Sequence, residues 1–470
     1  MSGVYLVKLM KLAIHAVIIM ILFAGIFVGC TKEKPVSSWS LENAGASVRL
    51  KNFIAAQEIL TRSLAKQQKM TPPVEFDAFF QAAKKGDWQT TTNLFQLISK
   101  RVQNDDKIHG SWWRAMIEAE GVFEIFPPND KYATTFGDEI IQSIPSGSIF
   151  FGGTDRGWFT VTALSESHAS GKPFYTFSPN AFADGTYLDY LRSMYGEKIY
   201  TPTAEDSEKS FEAYVENARK RLQSQQLKPG EDVSEGADGH LKISGQVALM
   251  QINWLLAKTI FDKNTNREFY LEEGFAPGDW MYPHLEPHGL IMKINRQPPV
   301  ELSDETVKRD HEDWTKRVEP MIGNWLEADT SVEDVCAFAR KIYLEHDLSG
   351  FKGDPQFIQN DRSCRMFSWP RSSIADLYVW RMNHALSESE KKRMTNEADF
   401  AFRQAIALCP YSPNAVFRYV NFLLSQNRLS DAHLIAKTAT EISGQIPSVR
   451  EDAKQYPMLV QQIEQYQKMK

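Results

Sequence analysis

Ser148-Ile149-Phe150-Phe151-Gly152-Gly153-Thr154-Asp155-Arg156-Gly157-Trp158 decides how the middle of this chain folds. Its short apolar run reads as a strand, closed by the glycine-rich turn that follows. Beyond them, Trp158 to His168 predicts a helix, Lys172-Pro173-Phe174-Tyr175-Thr176-Phe177 a second strand, and Tyr187 to Met194 another helix. Strand, crossover helix and strand make a right-handed βαβ unit. Thr203-Ala204-Glu205-Asp206 is a helix-capping signal, and Phe211, Tyr214, Val215, Ala218 and Leu222 fall on one face behind it. Gln225 to His240 is polar and reads as a loop, Gln246 to Phe261 as a buried helix, and Glu268-Phe269-Tyr270-Leu271 and Gly289 to Ile294 as further strands. Residues 133–300 are therefore expected to form a small α/β layer with about four strands.

Working outward, both flanks carry helical periodicity. In 42–132, Val48 to Leu64 has apolar residues at helical spacing, Phe76 to Ala83 and the segment carrying Leu94 to Ile98 meet at Gly86-Asp87 as a helical hairpin, and Trp112 to Phe123 ends at Pro127-Pro128. Residues 301–371 read as a helical connector with N-caps at Ser303 and Ser331. In 372–470, Ala398, Phe402, Ala405 and Pro410 recur in role 34 residues later as Ala432, Ala436, Ala439 and Gly444, the tetratricopeptide period. The segment Pro413 to Gly444 resembles one such repeat, with Asn427-Arg428 at its turn, an enlarged turn over Ser387 to Asn396 in the unit before it, and Val449 to Met469 as a cap. The fold class expected for the whole is α+β: an α/β layer between N-terminal helical hairpins and a tetratricopeptide-like array.

At the N-terminus, Lys8 and Lys11 precede an apolar run from Leu12 to Val28, and Gly29-Cys30 follows at once. That is the order of a secretory leader. Ile26-Phe27-Val28-Gly29-Cys30 resembles the bacterial lipobox, with Phe27 where leucine is usual. The resemblance implies cleavage of residues 1–29, a diacylglyceryl group on the Cys30 sulfur, and residues 30–41 as a polar tether. Thr31, in place of the aspartate associated with inner-membrane retention, favours an outer-membrane address.

The chain carries a formal net charge of −6, and losing Lys8 and Lys11 with the leader takes it to −8. That balance argues against nucleic acid as a partner, since phosphate recognition needs a clustered basic surface. With 43% hydrophobic residues the remainder has ample material for a core. Beside Cys30 stand Cys336, Cys364 and Cys409, with no C-x-x-C spacing. An oxidising envelope would allow one disulfide among them, with Cys364 to Cys409 the favoured pair, while sequence alone does not decide the connectivity.

Chemistry is concentrated in the Gly152–Gly157 turn. A glycine turn between a strand and a helix exposes amides to a ligand, and Gly153, Thr154, Asp155 and Arg156 are the candidate binding residues. Equally, Asp155 can cap the helix and Arg156 pair with a neighbouring acid. No P-loop or dinucleotide fingerprint is present, so no cofactor is expected. His284-Leu285-Glu286-Pro287-His288, with His311 downstream, holds metal-capable groups, but the prolines deny it the helical spacing of a zinc site and no metal is expected. Trp112-Trp113, Trp254 and Trp325 read as core rather than as sugar-stacking platforms. No catalytic set is apparent.

Ile144 to Asp155, then Arg267 to Leu271 and His284 to Ile294, resemble the opening and closing strands of the soluble C-terminal domain of bacterial multi-pass glycosyltransferase-like membrane proteins of the O-mannosyltransferase type. In those proteins the transferase chemistry belongs to acidic residues of the membrane-embedded part, whereas this sequence has one hydrophobic segment. The resemblance therefore implies an accessory or binding domain facing the envelope. The function expected is a non-enzymatic, lipid-anchored scaffold for a protein or glycan partner linked to glycosylation machinery. The alternative is an enzyme or small-ligand receptor that uses the glycine turn.

Overall fold

The computed structural model describes residues 44–104, 108, 110–125, 131–153, 155–166, 168–236, 241–272, 277–446 and 454–468. The expected leader, Cys30 and the tether lie outside the described residues. Among those described, no helix is long and apolar enough to cross a membrane.

Four helices come first: α1 (Ala44–Gln67), α2 (Phe76–Lys85), α3 (Trp88–Asn104) and α4 (Trp112–Ile125). The α2–α3 hairpin forms where Gly86-Asp87 foretells it. Gly86 takes the left-handed conformation that only glycine adopts freely (φ 73°), and the Asp87 carboxylate accepts the Thr90 amide at 3.1 Å to cap α3. A further helix, α5 (Lys131–Ser143), precedes the first strand and was not foreseen. Phe136 and Ile140, one turn apart and both buried, set its inner face.

The sheet has five strands, one more than expected: β1 (Ile149–Gly152), β2 (Tyr175–Phe177), β5 (Phe269–Glu272), β6 (Leu285–His288) and β7 (Ile291–Ile294). Their order is β2-β1-β5-β7-β6. Strand β1 runs parallel to β2 and β5, with Ile149 opposite Tyr175 on one side and Phe269 on the other. β7 is antiparallel to both β5 and β6. All of β1 and β5 is buried, as strands covered on both faces must be. Helices α6 (Asp155–Leu164), α7 (Gly185–Tyr195), α8 (Ala204–Gln223) and α9 (Gln246–Lys263) complete the layer. The capping box at α8 is present, Thr203 and Asp206 each bonding the other's amide, but Phe211 leaves the buried face and is 49% exposed.

One segment departs from the loop expected over 225–240. Strands β3 (Asp232–Glu235) and β4 (Leu241–Ser244) pair as an antiparallel ribbon, with Val233 opposite Ile243. Val233 joins Tyr214, Ala218 and Ala248 in a second small core. The remaining core is continuous from Leu50 in α1 to Ile463 near the end of the chain.

The last third is helical: α10 (Asp304–Ile322), α11 (Val332–Ala339), α12 (Asp361–Asn383), α13 (Glu388–Leu408), α14 (Pro413–Ser425), α15 (Leu429–Ser443) and α16 (Tyr456–Lys468). Ser303 and Ser331 cap α10 and α11 as expected. The enlarged turn expected over Ser387 to Asn396 is instead helix. Ser387 caps α13 by accepting the Glu390 amide, and Arg393 anchors this charged turn by donating to the Glu390 carboxylate and to Leu302 O. Arg381 of α12 ties the helices to the sheet, donating to Pro283 O, Leu285 O and Pro299 O at 2.8–3.0 Å.

Candidate functional site at the carboxyl ends of the strands

The chain leaves β1 through α6 to reach β2 on one side, and returns much later to form β5 on the other. This reversal makes the carboxyl end of β1 the position where open α/β sheets bind ligands. Gly153 just beyond β1, Asn180 beyond β2 and Glu272 at the end of β5 meet there.

The backbone of Gly153 is fully engaged. Its N–H donates to Glu272 Oε2 at 2.9 Å, and its carbonyl accepts from Asn180 Nδ2 at 3.0 Å. Asn180 is held in turn by Asn253 of α9, whose Nδ2 donates to Asn180 O at 3.0 Å and whose Oδ1 accepts the Ala183 amide at 2.7 Å. Glu272 is buried against the first turn of α6, where a Cβ on Gly157 would stand 2.4 Å from its carboxyl carbon. At Gly152 a Cβ would stand 2.8 Å from Cβ of Trp158. Both glycines are thus required for close approach. A helix N-terminus can bind an anion, and here a carboxyl oxygen of the chain itself takes the Gly153 amide.

Asp155 and Arg156 open α6, but their side chains lie outside the described residues, as does Thr154. Asp155 and Arg156 therefore stand beside a turn whose Gly153 amide is already committed to Glu272. Sequence reasoning placed the turn but missed Glu272, Asn180 and Asn253, which come from three other parts of the chain and share no motif with it.

A second polar group, also invisible in the sequence, lies deeper. Glu118 Oε2 accepts from Gln57 Nε2 and from the Tyr190 hydroxyl, each at 2.6 Å, and stands 3.3 Å from His168 Nε2. Nδ1 of the same ring contacts Thr176 Oγ1. Threonine, histidine and carboxylate in series have the composition of a nucleophile relay, but all three are buried. Burial and then the Glu118 charge push the Tyr190 hydroxyl well above its ordinary pKa, so it remains a neutral donor. The group joins α1 and α4 to the α/β layer from inside.

The histidines of the metal-capable motif diverge. His284 Nδ1 meets Asn295 O at 2.7 Å, His288 Nε2 meets Ser143 O at 2.8 Å, and His311 stacks on Phe400 beside Glu397. Among the described residues no three His, Cys, Asp or Glu side chains converge on one point. Trp112, Trp113 and Trp254 are buried, and Trp325 stacks on Phe338, so these rings serve the core. A cleft of about 350 Å³ lined by Thr71, Pro73, Arg101, Asn104 and Ile108 opens on the N-terminal helices, where Arg101 is engaged by Glu75 at 2.6 Å.

Comparison with family models, with curated proteins and with solved structures finds no match for this chain.

Proposed function

We propose that the chain is a lipid-anchored protein of the bacterial envelope, most fittingly of the outer membrane, that works as an interaction scaffold rather than as an enzyme. The observation that carries the choice is the bond from the Gly153 amide to Glu272. An anionic ligand at the turn would have to displace the buried Glu272 carboxyl group from the amide that it already holds. The partner is a protein of the envelope, in the neighbourhood of its glycosylation machinery, held by the helices that follow residue 372. Ala398, Ala405, Ala432 and Ala439, buried at a spacing of 34 residues, support reading those helices as tetratricopeptide-like units.

A small-ligand receptor is the second reading. What favours it is the switch-point position of the turn, together with two buried atoms there, Asn180 Oδ1 and Trp158 Nε1, that have no hydrogen-bond partner among the described residues. Affinity capture of the full chain from detergent-solubilised envelope, beside a thermal-shift screen against phosphate and nucleotide sugars, separates the two. The scaffold reading expects a protein partner that is retained in Asp155→Ala and Arg156→Ala, with no saturable shift from any anion. Absence of a partner, with an anion-dependent shift lost in those two variants, overturns it.

A further inference from the structure

Cys364 lies in the first turn of α12, and Cys409 is the residue that ends α13. The two helices are antiparallel, and their register is fixed by two side-chain bonds. Arg371 Nε donates to Gln404 Oε1 at 2.7 Å, and Ser368 Oγ donates to Ala405 O at 2.8 Å. Ala405 O also accepts the backbone amide of Cys409 at 3.1 Å. One turn before Ser368 is Cys364, and one turn after Ala405 is Cys409. The same register therefore places the two cysteines opposite each other, at the end of the hairpin away from its loop.

Their surroundings agree. Both side chains are wholly buried and both are thiols in this structure. Each thiol reaches the Tyr411 hydroxyl. Tyr343 donates its hydroxyl to Leu408 O at 2.8 Å, beside Cys409, and meets the Cys364 thiol. Cys336, the third described cysteine, is in α11 against Thr438 of α15.

We propose that Cys364 and Cys409 are a disulfide site, closed during folding by a small-molecule disulfide or a disulfide-donating protein. The first thiolate attacks a sulfur of the donor, breaks the donor's S–S bond and releases one thiolate. The second cysteine then attacks the mixed disulfide, forms the Cys364–Cys409 bond and releases the other. Two cysteines are oxidised, one donor disulfide is reduced, and the two cysteine protons pass through solvent to the two released thiolates, which become thiols. Closure belongs to folding because the finished fold suppresses the attacking thiolate. Burial drives the Cys364 thiol well above its ordinary pKa and pushes Cys409 up to about 12.

The bond would staple α12 to α13 at their open end and suits the oxidising envelope proposed above. Its test needs no export, so its failure is distinct from failure of the anchoring proposal. The full chain carrying Cys30→Ser is made by cell-free synthesis with glutathione disulfide present, alkylated without reduction, and digested for mass spectrometry. The expected result is one cross-linked peptide pair containing Cys364 and Cys409, with Cys336 alkylated and a melting temperature that falls on adding dithiothreitol. In Cys364→Ser or Cys409→Ser the surviving partner is alkylated or carries glutathione. Three alkylated cysteines, glutathione on both Cys364 and Cys409, or a bridge to Cys336 would overturn the proposal.

Discussion

A methyl group added at Gly157 would stand 2.4 Å from the carboxyl carbon of Glu272, which at the same time holds the Gly153 amide. Gly157→Ala must therefore push the carboxyl group away, leaving a buried amide without its acceptor. That loss is worth about 1–3 kcal/mol. Gly157→Ala should lower the urea midpoint by an amount equivalent to about 2 kcal/mol, and Glu272→Gln, which keeps the shape and an acceptor oxygen, should lower it by less. An unchanged midpoint in Gly157→Ala would mean that the turn is not built around Glu272. The sequence announces this turn through its glycines, since nothing else follows a buried apolar run so abruptly. It is silent on the acceptor, because Glu272 is 119 residues from Gly153 in the chain. The Glu118 group is hidden for the same reason, its partners Gln57 and Tyr190 lying 61 and 72 residues away.

At the scale of elements, what sequence periodicity reveals depends on how much of an element is buried. β1 shows itself because every residue of it is core. β3 does not, because Val233 is its one buried residue and the flanking polar groups read as loop. The first turns of α13 are obscured by their charges, of which Glu390 and Arg393 bond to the chain. Two elements invite direct tests. Ala432 and Ala439 face the interior of α15 with no exposure, so Ala432→Glu and Ala439→Glu each bury a charge and should cost about 3 kcal/mol or more in thermal or urea unfolding. Wild-type stability in either would show that the helix does not pack on that face. In the small β3–β4 core, Glu231 accepts from the Tyr214 hydroxyl at 2.8 Å, from Arg221 and from the Lys228 amide at 2.8 Å. Burial raises its pKa, but the Arg221, Lys228 and Tyr214 bonds outweigh that and hold the carboxyl below its ordinary value. A carboxyl whose pKa is lowered on folding stabilises above its unfolded pKa and loses that contribution as pH falls through the folded value. The stability difference between wild type and Glu231→Gln should therefore be largest above about pH 4.5 and shrink below it. A difference independent of pH would contradict the role given to this carboxylate.

At the scale of the whole molecule, a single core passes from the N-terminal helices through the sheet into the C-terminal helices. Glu118 with its partners closes the first junction, and Arg381 with three carbonyls closes the second. A body joined in this way presents its surfaces in fixed relation, which the proposed scaffold role requires. The lipid anchor proposed at Cys30 would tie this body to the membrane, and one measurement addresses it directly. Cells producing the full chain, wild type or Cys30→Ser, are fed a clickable fatty acid, and the protein is recovered for labelling and intact mass. The account predicts a labelled, membrane-bound wild type that begins at Cys30 and lacks residues 1–29, and an unlabelled Cys30→Ser chain that is released or remains an uncleaved precursor. An unlabelled wild type, or label that persists in Cys30→Ser, would contradict it.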